Sequence, residues 1–438
     1  MKIEKLFLFL AVPCIALFIF LVPVTQVPDE TTHAILAWNV THDTAKEDSL
    51  QWLAHHQGEV ITNSSPEAPA VLNKEKLNRF FTKKQDFSSA PFKLNVSIKS
   101  LAHLPQAIGM LIGRAIYPSY GVIMLVGRIV NALVYIIGMY YVIKAAKYGK
   151  LALMFISLLP MMLQQAASLS YDVLNYVSIA CFFVFFVNLI KERTFTNKKF
   201  LQLILLTLFL YSTKTNNLLL LPFLVMVNFE FEGFLKVLNP AYNFFKKYRW
   251  YFVTSAVCLG IVAFYFFLKG WGGTQHFIWV MFNTFFLQQE NVNLNGLLTI
   301  GIFGEFGWLT TQLPLWLVFI DIVVLILIYL SEYLPVTKTE GISSALIFPL
   351  QVLAIVVGMY FAWTLRSNPD NVGANRIAHG EQGRYFTPFL IYLAPLFSVC
   401  QSKLRFEFSQ KSIIKLSTII TLINVAVSFA VLWAYYWV

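Results

Sequence analysis

Apolar runs of about 20 residues recur along the chain, each long enough to cross a hydrocarbon core about 30 Å thick as an α-helix. A chain inside lipid must satisfy its own backbone hydrogen bonds, which limits spanning structures to helices and closed barrels. The runs lack the alternating pattern of barrel strands. The pattern therefore predicts an all-α polytopic membrane protein.

The runs predict eleven transmembrane helices within a single integral-membrane domain, residues 1–438. The predicted spans cover residues 6–24, 121–143, 151–164, 173–190, 200–212, 217–227, 251–268, 312–330, 345–363, 385–401 and 413–435. Residues 101–117 could form another short span or a helix in the outer interface. Lys144, Lys147 and Lys150 fall on the cytoplasmic side, where positive charge concentrates, only if 101–117 stays outside. We therefore place that segment outside and the N-terminus in the cytoplasm.

Three polar stretches are predicted to face the outside: a large first loop over residues 25–120, a second region over 270–311 and a last loop over 365–384. The first loop is too long for a simple connection, and loops of that size are usually functional. Within it, Leu77, Phe80 and Phe81 recur at helical spacing among lysines. This predicts an amphipathic juxtamembrane helix on the membrane surface.

Composition supports a membrane solvent. Of the 438 residues, 58% are hydrophobic and 13% are charged, against roughly 25% charged residues in a soluble domain. The net charge of +11 comes from lysines and arginines that cluster between apolar runs, as they do in cytoplasmic loops. The predicted partner is therefore the lipid bilayer and not nucleic acid. The four cysteines lie within apolar runs, so no disulfide framework is predicted.

The predicted topology places a set of polar and ionisable side chains on the outer side. The set includes Asp29, Glu30, His33, His103, Asp172, Asn175, Lys214, Glu305, Arg366, Arg376, Glu381 and Arg384. Ionisable groups near the membrane interior are costly and often functional. The alternative is that each side chain caps a helix or contacts headgroups. For Lys214 alone the two interpretations are equally favoured, whereas for the one-sided set a functional role is favoured.

Asp321 is assigned a structural role, and the histidines do not predict a structural metal site. Asp321 lies in the middle of a predicted span, and we expect it to be an interhelical hydrogen-bond partner. The histidines show no tight metal-ligand spacing, and His55 and His56 are adjacent in sequence, so a structural metal site is not predicted. No cofactor is predicted, and a divalent metal ion is left open.

Several motifs follow one another in an order that resembles a known family. They are Pro28-Asp29-Glu30 with His33, Leu104-Pro105-Gln106, Gly127-Arg128-Ile129-Val130-Asn131, Gln165 to Asp172, Lys214, Gly307-Trp308-Leu309 and Gln382-Gly383-Arg384-Tyr385-Phe386 with Pro388. They resemble a bacterial family of predicted polytopic membrane proteins of unknown function, grouped with the GT-C glycosyltransferase superfamily. The resemblance runs from residue 28 to residue 388 and implies a GT-C-like fold.

The resemblance implies transfer of a sugar from a polyprenyl-phosphate donor to a cell-envelope polysaccharide or glycolipid acceptor, on the outer face of a bacterial plasma membrane. A hydroxyl acceptor needs a base within hydrogen-bond reach, and Asp29 is the first candidate and Glu30 the second. Cations stabilise the departing phosphate, and Arg384 and Lys214 are candidates. The substrate-binding candidates, which include these two, are His33, His103, Arg128, Asp172, Lys214, Glu305, Gln382, Arg384 and Tyr385.

Other classes of protein share parts of this pattern. A polysaccharide polymerase or ligase also has many spans and large external loops, and would take a lipid-diphosphate oligosaccharide. A lipid-linked-sugar flippase or transporter would show internal repeats and polar groups at mid-membrane. No repeat is evident, and the polar set lies at the outer edge. A non-catalytic scaffold would explain the topology but not the one-sided set of acids and cations.

Overall fold

The computed structural model describes residues 1–42, 72–88, 91–287, 294–367, 375–401 and 409–438. Its α-helices are α1 (Ile3–Leu21), α2 (Glu30–Thr41), α3 (Lys74–Thr82), α4 (Leu104–Ile116), α5 (Tyr120–Ala145), α6 (Lys150–Ser157), α7 (Pro160–Ala166), α8 (Asp172–Glu192), α9 (Asn197–Thr213), α10 (Asn239–Lys269), α11 (Thr274–Phe286), α12 (Leu294–Leu298), α13 (Ile300–Phe303), α14 (Leu315–Ser331), α15 (Lys338–Met359), α16 (Leu365–Ser367), α17 (Ala394–Gln401) and α18 (Gln410–Tyr436).

Shorter elements connect these helices. The 3₁₀ segments are Lys99–His103, Thr215–Met226, Gly233–Leu238, Gly383–Tyr385 and Thr387–Leu393, and α15 continues as a π-helical turn, Tyr360–Thr364. Strands β1 (Thr194–Phe195) and β2 (Glu230–Phe231) pair in parallel, whereas β3 (Glu305–Phe306) and β4 (Thr311–Gln312) pair antiparallel. The fold is therefore all-α, with only two short strand pairs among the described residues.

Six helices in the described ranges are long and apolar enough to cross a membrane: α1, α5, α8, α10 with the segment before it, α15 with the turn after it, and α18. Three shorter apolar helices cover Thr215–Met226, Leu315–Ser331 and Thr387–Gln401. These nine account for most of the predicted spans and confirm an all-α membrane protein. The count of eleven spans stays a prediction.

The expected span over residues 151–164 is broken in the structure. Helix α6 ends at Ser157, and α7 begins at Pro160. Proline lacks a backbone N–H and disfavours helical backbone in the residue before it, which favours a helix break at this position. In the segment after α7, the backbone N–H of Leu169 donates to Glu30, and the backbone carbonyl of Ser170 accepts from Gln106.

Helices predicted in the first external loop are present. Leu77, Phe80 and Phe81 lie in α3, and residues 101–117 contain α4. The sequence also predicts a turn-rich link at residues 63–69, which lies outside the described residues. The large loop is thus partly folded into helices that pack on the membrane-spanning helices.

Helix α4 lies in very close contact with α5 because of a Gly109-x-x-x-Gly113 pair. A Cβ built on Gly109 would lie 2.7 Å from the Cα of Gly127, and one on Gly113 would lie 2.8 Å from the Cα of Ile123. Small residues at this spacing let two helix backbones approach. The contact holds the two helices that carry Gln106 and Arg128 in one rigid unit.

The expectation for Asp321 is confirmed. Asp321 on α14 is fully buried, and its Oδ1 accepts a hydrogen bond of 2.7 Å from Nδ2 of Asn424 on α18. A side-chain hydrogen bond between helices is one of the forces that holds membrane helices together. This pair joins the last helix to the rest of the bundle.

Candidate active site

Four charged side chains from distant parts of the chain meet at one end of the helix bundle. Asp29 precedes α2, Asp172 begins α8, Lys214 follows α9 and Arg384 lies in the 3₁₀ turn Gly383–Tyr385. Arg384 Nη2 lies 2.5 Å from Asp29 Oδ2, and Arg384 Nε lies 3.4 Å from Asp172 Oδ2. Lys214 Nζ lies 2.7 Å from Asp172 Oδ1. Asp172 therefore lies between two cations, and Asp29 pairs with one of them. We call Asp29, Arg384, Asp172 and Lys214 the charged row.

The guanidinium of Arg384 is held in place by the backbone around it. Its Nη1 donates to the carbonyl oxygen of Pro28 at 2.9 Å, and its own carbonyl oxygen accepts from the hydroxyl of Tyr176 at 3.2 Å. Its side chain is 2% exposed. A planar guanidinium with committed donors is a rigid cation. The charge of Arg384 is thus preorganised at the inner wall of the site.

Lys214 is a second preorganised cation. Its Nζ lies 4.2 Å from the ring centroid of Tyr385 and 5.2 Å from that of Tyr171, in cation–π contacts. Burial alone would lower the pKa of the Lys214 ammonium, but the Asp172 carboxylate, together with Tyr171 and Tyr385, raises that pKa above its ordinary value. Lys214 therefore stays charged, and its side chain retains 18% exposure.

Asp29 has an unusual backbone conformation. It stands at the N-cap position of α2 with φ 61°, in the left-handed region that non-glycine residues rarely adopt. Aspartate at this position usually accepts a hydrogen bond from the helix backbone, yet the Asp29 side chain makes no such cap and turns to Arg384. Its side chain is 40% exposed, so one face of the carboxylate is open. Strained backbone of this kind clusters at functional sites.

Two neutral imidazoles lie behind the charged row. The rings of His33, His103 and Tyr171 have centroids 5.0 to 5.8 Å apart. Burial lowers the pKa of His33 to about 3 and that of His103 to about 4. Both rings are therefore uncharged at neutral pH. The Nδ1 atom of each is buried and has no hydrogen-bond partner.

Glu30, beside Asp29 in sequence, lies in a different and closed environment. Its two oxygens accept from Nε and Nη2 of Arg128 at 2.6 Å each, and from the backbone N–H groups of Thr25 and Leu169. Both Glu30 and Arg128 are fully buried. Arg128 also donates to three carbonyl oxygens at the end of α1, those of Ile19, Val22 and Pro23. The sequence places both residues among the site candidates, and the structure buries both of them completely.

The remaining predicted site residues lie next to the charged row without an ion pair to it. Glu305 is half-buried beside Gly301. A Cβ on Gly383 would lie 2.1 Å from the carbonyl carbon of Gly301, so α13, which carries Gly301, packs against the Arg384 turn. Burial raises the pKa of Glu305 to about 7. The Oε1 atom of Gln382 is buried without a hydrogen-bond partner. Tyr385 places its hydroxyl 3.4 Å from Arg384 Nη2.

A cavity of about 250 Å³ opens beside Lys214. Tyr171, Lys214 and Tyr385 form its polar wall, and Ala354 and Met359 on the α15 side form an apolar wall. Because lysine and two tyrosines face an apolar helix here, the cavity suits the junction between a charged group and a hydrocarbon chain.

An apolar groove of about 780 Å³ lies next to the cavity, between α10, α15 and the 3₁₀ segment Thr215–Met226. Ala354 lines both spaces. A hydrogen bond of 3.2 Å from Asn216 Nδ2 to Gln351 Oε1 joins the cavity wall to the groove wall. The polar site therefore continues into a surface suited to a lipid tail.

Tyr171 and the backbone of Pro28 contribute to the site but were not singled out from the sequence. Tyr171 lies inside the run from Gln165 to Asp172, so its neighbourhood in the sequence was a usable signal. The backbone carbonyl of Pro28 gives no such signal, because any residue carries one. In the described parts of the chain, no group of three or more His, Cys, Asp or Glu side chains could hold a metal ion.

Fold and site together define a polytopic α-helical membrane protein with a buried acid–cation cluster at one end of its bundle. The chain belongs to the family described as a predicted membrane protein, DUF2142, whose model matches residues 14–393. The match covers most of the helix bundle and all four residues of the charged row. No curated protein and no solved structure shows a significant match.

Proposed function

We propose that the protein is a membrane glycosyltransferase of the GT-C type. It transfers a sugar from a polyprenyl-phosphate donor to a glycan or glycolipid acceptor of the cell envelope. The observation that carries the proposal is the charged row, in which Arg384 pairs with the open carboxylate of Asp29 and a second preorganised cation, Lys214, joins it through Asp172. The adjoining cavity and apolar groove suit the phosphate and the lipid chain of such a donor.

The chemistry divides between the acid and the cations. The acceptor hydroxyl gives its proton to the Asp29 carboxylate while its oxygen forms a bond to the anomeric carbon. The bond from that carbon to the phosphate oxygen breaks, and its electron pair leaves with the lipid phosphate. Arg384 and Lys214 stabilise this growing negative charge because they are already in position before the reaction. Arg384 can bind a phosphate oxygen through Nη2, the donor that faces Asp29, and lysine acts as a point charge.

Other residues have positioning or binding roles in this proposal. Asp172 holds Arg384 and Lys214 at a constant separation through its two oxygens. The neutral rings of His33 and His103 bind sugar hydroxyls. Glu30 and Arg128 form a structural pair. They hold the backbone that precedes Asp29 and take no part in the reaction.

Transfer by the purified full-length protein is the direct test. Synthetic polyprenyl-phosphate sugars are offered with envelope glycans, and lipid-diphosphate oligosaccharides are offered in parallel. We expect transfer from the monophosphate donors. Transfer from diphosphate donors alone would assign a polymerase or ligase. Movement of a labelled lipid-linked sugar between leaflets of a vesicle without transfer would assign a flippase.

We also propose that the site faces the outside of a bacterial plasma membrane and that the N-terminus is cytoplasmic. Single cysteines at Ser97 and Lys147, in a background without the native cysteines, test this orientation in intact cells. We expect an impermeant thiol reagent to label the Ser97 position only. Labelling of the Lys147 position alone would reverse the assignment.

A further inference from the structure

The charges of the four side chains in the charged row sum to zero. Arg384 and Lys214 carry two positive charges, and Asp172 and Asp29 carry two negative charges. Asp172 is 1% exposed and Arg384 2%, whereas Asp29 is 40% exposed. Asp172 is therefore built into the protein. The Asp29 side chain is already partly exposed, so it can move away from Arg384 without bringing a buried acid into solvent.

The donors of Arg384 show which position an incoming anion can take. Its Nη1 is committed to the Pro28 carbonyl oxygen, and its Nε faces the buried Asp172. Its Nη2 donates to Asp29 at 2.5 Å, toward the open side of the site. An anionic oxygen that approaches Arg384 from the open side meets this donor first. In the structure a carboxylate oxygen of Asp29 already occupies that place.

Asp29 cannot share Arg384 with a phosphate at low cost. A phosphodiester brings another negative charge, so the balanced row would become net negative in a partly buried site. Charges buried without a partner are strongly disfavoured. At the same time, a carboxylate oxygen that accepts from Arg384 is not free to accept a proton from an acceptor hydroxyl.

We propose that Asp29 occupies the place of the donor phosphate in the ligand-free protein, and that the donor activates its own base by displacing Asp29 from Arg384. This inference rests on the proposed function. The donor must then bind before the acceptor can react, because Asp29 is free to take the acceptor proton only after the phosphate has replaced it. The left-handed backbone of Asp29 and its unused capping position leave the carboxylate free to turn away.

The proposal predicts that loss of the base strengthens donor binding. The probe is polyprenyl phosphate without a sugar, bound to the full-length protein in nanodiscs. We expect Asp29→Asn and Asp29→Ala to bind it about fivefold tighter than the wild type, because a partly exposed ion pair no longer competes. Asp86→Asn, an acid-to-amide change at an exposed position of the first loop, is the matched control and should bind like the wild type.

The outcomes separate this inference from the proposed function. Binding by the wild type with equal or weaker binding by both Asp29 variants would overturn the displacement and leave the glycosyltransferase proposal standing. An absence of binding by all variants would contradict both proposals. Two variants are used because tighter binding by either one, in protein with a wild-type unfolding midpoint, already supports the displacement.

Discussion

Asp29 and Glu30 are neighbours in sequence, and each forms an ion pair with an arginine, yet the two pairs lie in opposite surroundings. The Glu30–Arg128 pair is fully buried, and both oxygens of Glu30 also accept backbone N–H groups. In the Asp29–Arg384 pair the arginine is buried, but the acid is 40% exposed and lies in strained backbone. Identical chemistry thus produces one closed pair and one open pair.

The difference shows how one short stretch can combine a scaffold with a reactive group. Glu30 and Arg128 join the end of α1, helix α5 and the loop before Asp172, so they hold the backbone around Asp29. The stability of the fold therefore does not require Asp29 to be buried. We expect loss of the closed pair to reduce stability first and loss of the open pair to reduce transfer first.

The largest effect on stability is expected for Arg128→Met. The substitution leaves the Glu30 carboxylate buried without a cation, which costs about 3–5 kcal/mol of unfolding free energy. Unfolding in detergent, followed by tryptophan fluorescence, measures the loss. The double variant Glu30→Gln with Arg128→Met should recover part of it, because no buried charge remains. A loss below about 1 kcal/mol would show that the closed pair is not a structural anchor.

Arg384→Lys is expected to have the next largest effect, on transfer. Lysine keeps the charge but loses the planar fork that contacts Pro28 and both acids, so we expect transfer to fall about 10²-fold. Arg193→Lys is the matched control, because Arg193 forms a comparable pair with Glu340 outside the site. It should change stability only. Equal transfer by both variants would remove Arg384 from the mechanism.

A smaller effect should appear in the pH dependence of stability. The pKa of His33 is lowered to about 3 in the folded protein, whereas an unfolded histidine titrates near pH 6.5. The stability that neutral His33 provides is therefore complete above about pH 6.5. It is lost as pH falls toward 3, by at most about 1.4 kcal/mol per pH unit. Unfolding from pH 7 to pH 4 should be less pH-dependent in His33→Phe than in the wild type, and identical slopes would contradict the burial of His33.

The smallest effect is expected for Asp321→Asn. Asp321 and Asn424 form a buried acid–amide pair without a cation, and hydrogen bonds between membrane helices average about 0.6 kcal/mol. We expect a change of that order in unfolding free energy and unchanged transfer. A loss of transfer comparable with that of Arg384→Lys would show that the last helix takes part in catalysis.

Much of the helical fold could be predicted from the sequence, because apolar length and the distribution of lysines and arginines report directly on the bilayer. Asp321 was also assigned correctly, since a lone acid in an apolar run needs a partner on another helix. The break before Pro160 was missed because hydropathy does not register a change in chain direction. The number of spans beyond the long and the shorter apolar helices stays a prediction.

The four charged residues could be named from the sequence, but their pairing could not. Asp29, Asp172, Lys214 and Arg384 were all candidates, and the structure brings them together. Which of the two adjacent acids faces Arg384 depends on the left-handed backbone at Asp29 and on the enclosure of Arg128 by α1. Neither is visible in a pattern of residue types. For that reason the sequence ranks Asp29 ahead of Glu30 as the base without excluding Glu30.

Transfer by Asp29→Asn and by Glu30→Gln, measured side by side per folded molecule with polyprenyl-phosphate sugar as donor, tests the central claim most directly. We predict that Asp29→Asn loses about 10²–10⁴-fold of its transfer rate and still binds polyprenyl phosphate, whereas Glu30→Gln loses stability and keeps most of its transfer. Full transfer by Asp29→Asn, or an equal loss in both variants, would contradict the assignment of Asp29 as the base.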